Sequence, residues 1–204
     1  MITVIDLGIG NVAAFTNLYK RLNIPVRVAK SACELLESEK LVLPGVDSFD
    51  NFMLRLDVLK MRDGLNELVL SKKVPILGVC VGMQVLADSS EEGSCSGLGW
   101  IAGKIKSLKA TNTDGHLKLP HMGWNHLDLS KNTQLLKGLN EESRFYFLHS
   151  YYFDAQSNDS VIANAHYGNT FPCAVNVDNI YGVQFHPEKS HRNGAILLKN
   201  FAEL

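Results

Sequence analysis

Four short apolar runs, ITVID (2–6), PVRVA (25–29), KLVLPG (40–45) and VPILGV (74–79), are separated by segments with helical spacing. A run that is apolar at successive positions reads as a strand buried on both faces. Strands that alternate with helices build a parallel sheet covered on each side. Helices are expected from about Asn11 to Leu22, where Val12, Phe15, Leu18, Tyr19 and Leu22 share one face, and over 50–59, 62–72 and 81–88. The second half changes character. LGWIAGKIKSL, GWNHLDL, RFYFLHSYYF, SVIANAHY, CAVNV and IYGVQF read as successive strands with Gly, Asn and Asp turns, before a last helix over about 193–202. The expected fold class is α/β: a mostly parallel central sheet flanked by helices, with additional antiparallel strands in the C-terminal half. No repeat, low-complexity segment or long linker interrupts it, so residues 1–204 are expected to form a single domain.

Charge and composition exclude several classes of function. The 204 residues carry a formal net charge of −1, which gives no field to attract nucleic acid or a membrane surface. No apolar run is long enough to span a bilayer, and Asp6 interrupts an N-terminal segment that lacks a basic start, so a cytoplasmic protein is expected. Cys33, Cys80, Cys95 and Cys173 are scattered, without the spacing of a disulfide framework. Gly8, Gly10 and Ala13 fit the G-x-G-x-x-A pattern of dinucleotide-binding folds, but the second strand ends in VRVAKS, with no acidic residue to hold a ribose. A tight turn accounts for these glycines. His116, His121 and His126 recur at a spacing unlike that of zinc ligands, so no metal is expected.

The chemistry centres on Gly78-Val79-Cys80-Val81-Gly82, which follows an expected strand and precedes an expected helix. This G-x-C-x-G sequence is the sulfur counterpart of the G-x-S-x-G nucleophile elbow. A sharp strand-to-helix turn strains the backbone at the nucleophile and leaves no room for side chains at the flanking positions. The thiol then stands at a helix N-terminus, where the dipole favours a thiolate and the Val81 N–H can meet an oxyanion.

A nucleophilic cysteine needs a base, and the base needs an orienting group. The segment GVQFHPEKS (182–190) offers both: a strand runs into His186, Pro187 ends it, and Glu188 follows two residues after the histidine. Taken alone, His-Pro-Glu is an ordinary turn. Joined to the elbow, it completes a candidate Cys80-His186-Glu188 triad.

Seven segments in order, PGVDSF (44–49), GVCVGMQVLADSSEEG (78–93), GLGWIAGKI (97–105), PHMGWN (120–125), FLHSYY (147–152), YGVQFHPEKS (181–190) and GAILLKNF (194–201), resemble the triad-type, class I glutamine amidotransferases. Within them the likeness is greatest to the glutaminase subunits of imidazole glycerol phosphate synthases. PHMGWN and HPEKS are its more specific parts, and they argue against a cysteine peptidase. The resemblance implies a flavodoxin-like fold and the hydrolysis of glutamine through a glutamyl-thioester. Cys80 would attack, His186 would move protons, and Glu188 would orient the imidazole. Gln84 and Glu92 would hold the substrate, and the backbone at Ser150 and Tyr151 would contact its amino-acid end. Val81, Gly45 and Val46 would supply the oxyanion hole. The resemblance implies no cofactor. It also implies a heterodimer with a (β/α)8-barrel cyclase, faced by Asn11, Trp124, Tyr146 and Lys189, which uses the ammonia to make imidazole glycerol phosphate in histidine biosynthesis.

One residue departs from the family pattern. The oxyanion loop, usually Pro-Gly-Val-Gly, here ends in Asp47. A carboxylate there would oppose a developing oxyanion unless it points away, and it turns in the backbone less readily than glycine. Two further readings are therefore kept: an ammonia donor for an amidino-sugar amidotransferase in surface polysaccharide synthesis, and a catalytically inert scaffold subunit.

Overall fold

The computed structural model describes residues 1–111 and 117–204; His116 lies outside them. The first half follows the expected alternation: β1 (Ile2–Ile5), α1 (Val12–Arg21), β2 (Val26–Ala29), β3 (Lys40–Gly45), α2 (Phe49–Val58), α3 (Arg62–Asn66), β4 (Ile76–Cys80) and α4 (Val81–Gln84). The second half adds β5 (Ser89–Ser90), β6 (Gly103–Ser107), β7 (His121–His126), β8 (Asp128–Leu129), β9 (Arg144–His149), β10 (Tyr151–Ala155), β11 (Val161–Tyr167), β12 (Asn169–Val177), β13 (Ile180–Val183) and α5 (His191–Glu203). The helix starts are those the residue types favour. Asn11 accepts from the Ala14 N–H at the start of α1, and Ser48 does the same for Asn51 at the start of α2.

Eight strands form the main sheet, in the order β2-β1-β3-β4-β13-β12-β11-β8. The five from β2 to β13 run parallel, and β12, β11 and β8 continue the sheet antiparallel. Phe15, Leu18 and Tyr19 of α1, Phe49, Phe52 and Leu56 of α2, and Leu197, Leu198 and Phe201 of α5 are buried in one apolar cluster with the strands. Burying such side chains is the main stabilising contribution. Two smaller sheets, β10-β6-β5 and β7-β9, complete the second half.

Three differences from the sequence reading matter for the site. The IYGVQF strand is not one of the antiparallel additions: β13 lies parallel to β4, with Val183 beside Val79. Two parallel strands end at the same edge, so the residues after β13 emerge beside Cys80. The RFYFLHSYYF run is two strands broken at Ser150, which makes a corner at 149–151. The helix after Cys80 ends at Gln84 rather than continuing to 88. The Val85, Leu86 and Ala87 carbonyls accept from Leu98, Trp100 and Gly99, so the returning chain takes the acceptors that further helical turns would need.

Candidate active site

Cys80 has φ 56° and ψ −113°, a left-handed-side backbone that non-glycine residues rarely adopt. Its neighbours make that turn possible. A Cβ at Gly78 would lie 2.3 Å from the Gly82 carbonyl oxygen, and one at Gly82 would lie 1.8 Å from the Leu43 oxygen. Gly45 is in register with Cys80, so the end of β3 lies directly alongside the turn at Cys80.

His186 follows β13 and is 1% exposed. Its backbone N–H donates to the Tyr146 carbonyl, and Ser190 Oγ holds both the His186 carbonyl and the Tyr146 N–H. The His-Pro-Glu turn is thereby tied to β9. His186 Nδ1 lies 2.9 Å from Glu188 Oε1, and both side chains are buried. His186 Nε2 and Glu188 Oε2 have no aligned hydrogen-bond partner among the described residues. Burial alone would push the imidazole down. Hydrogen bonding and charge from Cys80 and Glu188 outweigh it and raise the pKa to about 9. Glu188 thus holds one ring nitrogen of His186, and His186 shares with Cys80 the lining of one cleft.

A cleft of about 210 Å³ opens over Cys80. Val46, Asp47, Val81, Gln84 and Glu92 line one part of it, and Leu148, His149, Ser150, Tyr151 and His186 line the other. All the sequence-predicted catalytic and substrate-contacting residues except Glu188 therefore meet in one small cleft, and Glu188 sits behind His186. Gly45 lies beneath it, where a Cβ would meet Phe52 at 2.6 Å. Gln84 and Glu92 also have bonds within the chain. Gln84 Nε2 donates to the Tyr151 carbonyl and to Gln184 Oε1, while Glu92 Oε2 accepts from the Phe49 N–H at the start of α2. The Asp47 carboxylate accepts from the Ser48 N–H at 2.7 Å and from Asn51 Nδ2 at 2.6 Å, so it is turned onto the first turn of α2.

The sequence profile described as Glutamine amidotransferase class-I matches residues 3–204. The chain belongs to this family. The amidotransferase is 52% identical over 204 residues, the full length of both chains, to imidazole glycerol phosphate synthase subunits HisH from Leptospira borgpetersenii and Bdellovibrio bacteriovorus. It is 45% identical, again over both full lengths, to a subunit HisH 2 from Pseudomonas aeruginosa. Its fold matches a solved glutamine amidotransferase with TM-score 0.75 at 20% identity, covering 99% of this chain and 97% of that one. It also matches the structure of PurLQS from Thermotoga maritima with TM-score 0.76 at 16% identity, with the same coverage of each.

Three of the four expected partner-facing residues of the amidotransferase lie together, beside the His-Pro-Glu turn. Trp124 and Tyr146 are paired across β7 and β9, and Lys189 Nζ lies 5.7 Å from the Tyr146 ring centroid. Asn11 caps α1. His191, which the sequence reading missed, stacks on Trp124 at 5.2 Å with rings 12° apart. Gln184 was missed as well: it is fully buried, and its Nε2 lies 3.8 Å from Cys80 Sγ. A glutamine within the otherwise apolar run IYGVQF was the available signal. The Gly8–Gly10 turn is a packing feature, since a Cβ at Gly10 would lie 3.2 Å from the Pro44 carbonyl oxygen. Among the described residues, no three His, Cys, Asp or Glu side chains gather where they could hold a metal, and no helix is long and apolar enough to cross a membrane.

Proposed function

We propose that residues 1–204 form one glutaminase domain, the HisH-type subunit of an imidazole glycerol phosphate synthase working in the cytoplasm. The observation that carries the chemistry is the arrival of His186 beside Cys80, with Glu188 2.9 Å behind the imidazole. Cys80 sulfur attacks the side-chain amide carbon of glutamine. His186, which as imidazolium holds the proton that Cys80 gives up, passes it to the departing nitrogen, so a C–S bond forms, the C–N bond breaks, and ammonia leaves. Water, deprotonated by the now neutral His186, then cleaves the thioester to glutamate and frees the Cys80 sulfur, with the proton back on the imidazole. The N–H groups of Val81 and of the Gly45–Val46 loop serve the oxyanion. Gln84, Glu92 and the corner at Ser150 and Tyr151 receive the substrate.

The acceptor side of the proposal rests on the full-length relatives, which are named as imidazole glycerol phosphate synthase subunits. Ammonia passes to a barrel cyclase docked over Trp124, Tyr146 and Lys189, with Asn11 at the edge. Docking keeps the ammonia neutral and confined, whereas in water it is mostly ammonium. In the complex, Cys80→Ala is expected to abolish glutamine-dependent product formation and to leave ammonia-dependent formation intact. Undiminished use of glutamine by that variant overturns the triad. Histidine-independent growth after deletion of the gene overturns the histidine assignment in favour of an amidino-sugar acceptor.

A further inference from the structure

His121 and His149 are both buried and take no part in the triad. His121 Nδ1 lies 2.9 Å from His149 Nε2, and His149 Nδ1 lies 2.8 Å from the Tyr151 carbonyl oxygen. A carbonyl oxygen only accepts, so His149 carries its proton on Nδ1. A neutral imidazole has one N–H, so its Nε2 is bare and accepts from His121 Nδ1–H. His121 Nε2 is then bare too, and the Asn125 amide nitrogen, a donor, lies 3.4 Å from it. All three bonds point one way, from Asn125 toward Tyr151, and together they assign both tautomers. The His121 ring is also clamped between Phe147 and Tyr167, stacked at centroid distances of 4.8 and 4.1 Å.

The chain of bonds ends at the cleft. Tyr151 oxygen receives a second donor, Gln84 Nε2, at 3.1 Å, so both of its lone pairs are filled. The Ser150 carbonyl accepts from the Leu108 N–H at 2.9 Å. The 149–151 corner is thus held from behind rather than by its own loop, and His149 itself lines the cleft. We propose that His149, kept in one tautomer by His121, is a positioning residue for glutamine: it fixes the Tyr151 carbonyl and with it the cleft wall that receives the amino-acid end of the substrate. This role rests on the glutaminase reading of the cleft.

The test uses the complex with its cyclase and two variants. His149→Phe fills the space but removes the donor. His149→Asn returns a donor where Nδ1 stands. Phenylalanine is expected to raise the KM for glutamine about tenfold, as for loss of one buried hydrogen bond, with kcat within about threefold of the parent. Asparagine is expected to restore KM to within about threefold. Ammonia-dependent turnover stays unchanged in both. Nitrogen-15 NMR of the unmodified protein at pH 7 is expected to show His121 and His149 neutral and protonated on Nδ1, which decides the tautomers even where a variant fails to fold. An active parent whose KM ignores His149→Phe, a loss confined to kcat, or His149 protonated on Nε2 overturns the positioning role alone. A parent complex that hydrolyses no glutamine overturns the glutaminase reading beneath it.

Discussion

A Cβ on Gly82 would stand 1.8 Å from the Leu43 carbonyl oxygen. The turn after Cys80 therefore packs backbone against backbone on β3, the strand whose end supplies the candidate oxyanion loop. Leu43 is a central-strand residue and cannot yield without disturbing its pairing with Gly78. Gly82→Ala is expected to cost about 3 kcal/mol of stability, the upper range for overpacking, and to abolish glutaminase activity. Urea unfolding of the purified variant measures the first. An alanine variant of unchanged midpoint would mean that the turn is looser than described.

The His186 imidazole, raised to about 9, is expected to set an upper pH limit on turnover. Above that value it has no proton to give the leaving nitrogen, so kcat/KM for glutamine falls. Glu188 is one of the groups that raise the imidazole. Glu188→Gln removes its charge, and the falling limb of the pH profile is expected to move about one unit toward lower pH, with a lower plateau. A limb that stays in place assigns it to another group. The same shift has a consequence for stability. The imidazole is raised above its unfolded value near 6.5, so its contribution is complete below that pH and is lost as pH rises toward 9.

The buried histidine pair has the opposite sign. Burial lowers His149 to about 3, and it lowers His121 to about 4. The unfolded chain therefore binds protons near pH 6.5 that the folded chain refuses until far lower pH. Stability is fully present above that range and is lost as pH falls toward 4 and 3. Between pH 7 and pH 5 each histidine accounts for about 2 kcal/mol of lost stability. His149→Phe is expected to flatten the decline by about that amount, read as the difference between urea midpoints at the two pH values for parent and variant.

Asp47 is bound to the first turn of α2 through Ser48 and Asn51, where a carboxylate complements the unpaired N–H groups and the helix dipole. It is therefore a local anchor. Asp47→Gly is expected to lower Tm by about 2–4 °C and to change kcat for glutamine in the complex by less than about threefold. A thermal melt and steady-state kinetics check the two parts. A large rise in turnover would show that the carboxylate restrains the candidate oxyanion loop.

The alternation of apolar runs made the parallel half legible, because a strand buried on both faces leaves a continuous apolar signature. The elbow was legible for the same local reason, since its glycines answer a clash that G-x-C-x-G itself encodes. Strand partners were not legible. Ile180–Val183 carries no mark of the neighbour it takes, and only its parallel pairing with β4 brings His186 to Cys80. The break at Ser150 was hidden in a run rich in aromatic residues, so the corner and the His121–His149 pair behind it could not be read. Gln184 and His149 are polar side chains within apolar segments, and their partners lie 100 and 28 residues away.

The last prediction concerns the proposed partner-facing surface. Trp124 is 42% exposed, yet it is held flat against His191 and edge-on to Tyr146 at 6.1 Å, so its ring is ordered before any partner arrives. An ordered, exposed aromatic loses little entropy on docking, which is the setting of a binding hot spot. Lys189 stands above Tyr146 and is exposed, so its contribution is electrostatic and screened by salt. Trp124→Ala is expected to weaken binding of the cyclase about 30-fold, or ~2 kcal/mol. Lys189→Ala is expected to weaken it about fivefold at low salt, and less as salt is added. Thermal stability of the isolated chain should hardly change in either case, because neither side chain is in the core. Calorimetric titration at two salt concentrations separates the contributions. Unaltered affinity in Trp124→Ala would place the docking surface elsewhere on the amidotransferase.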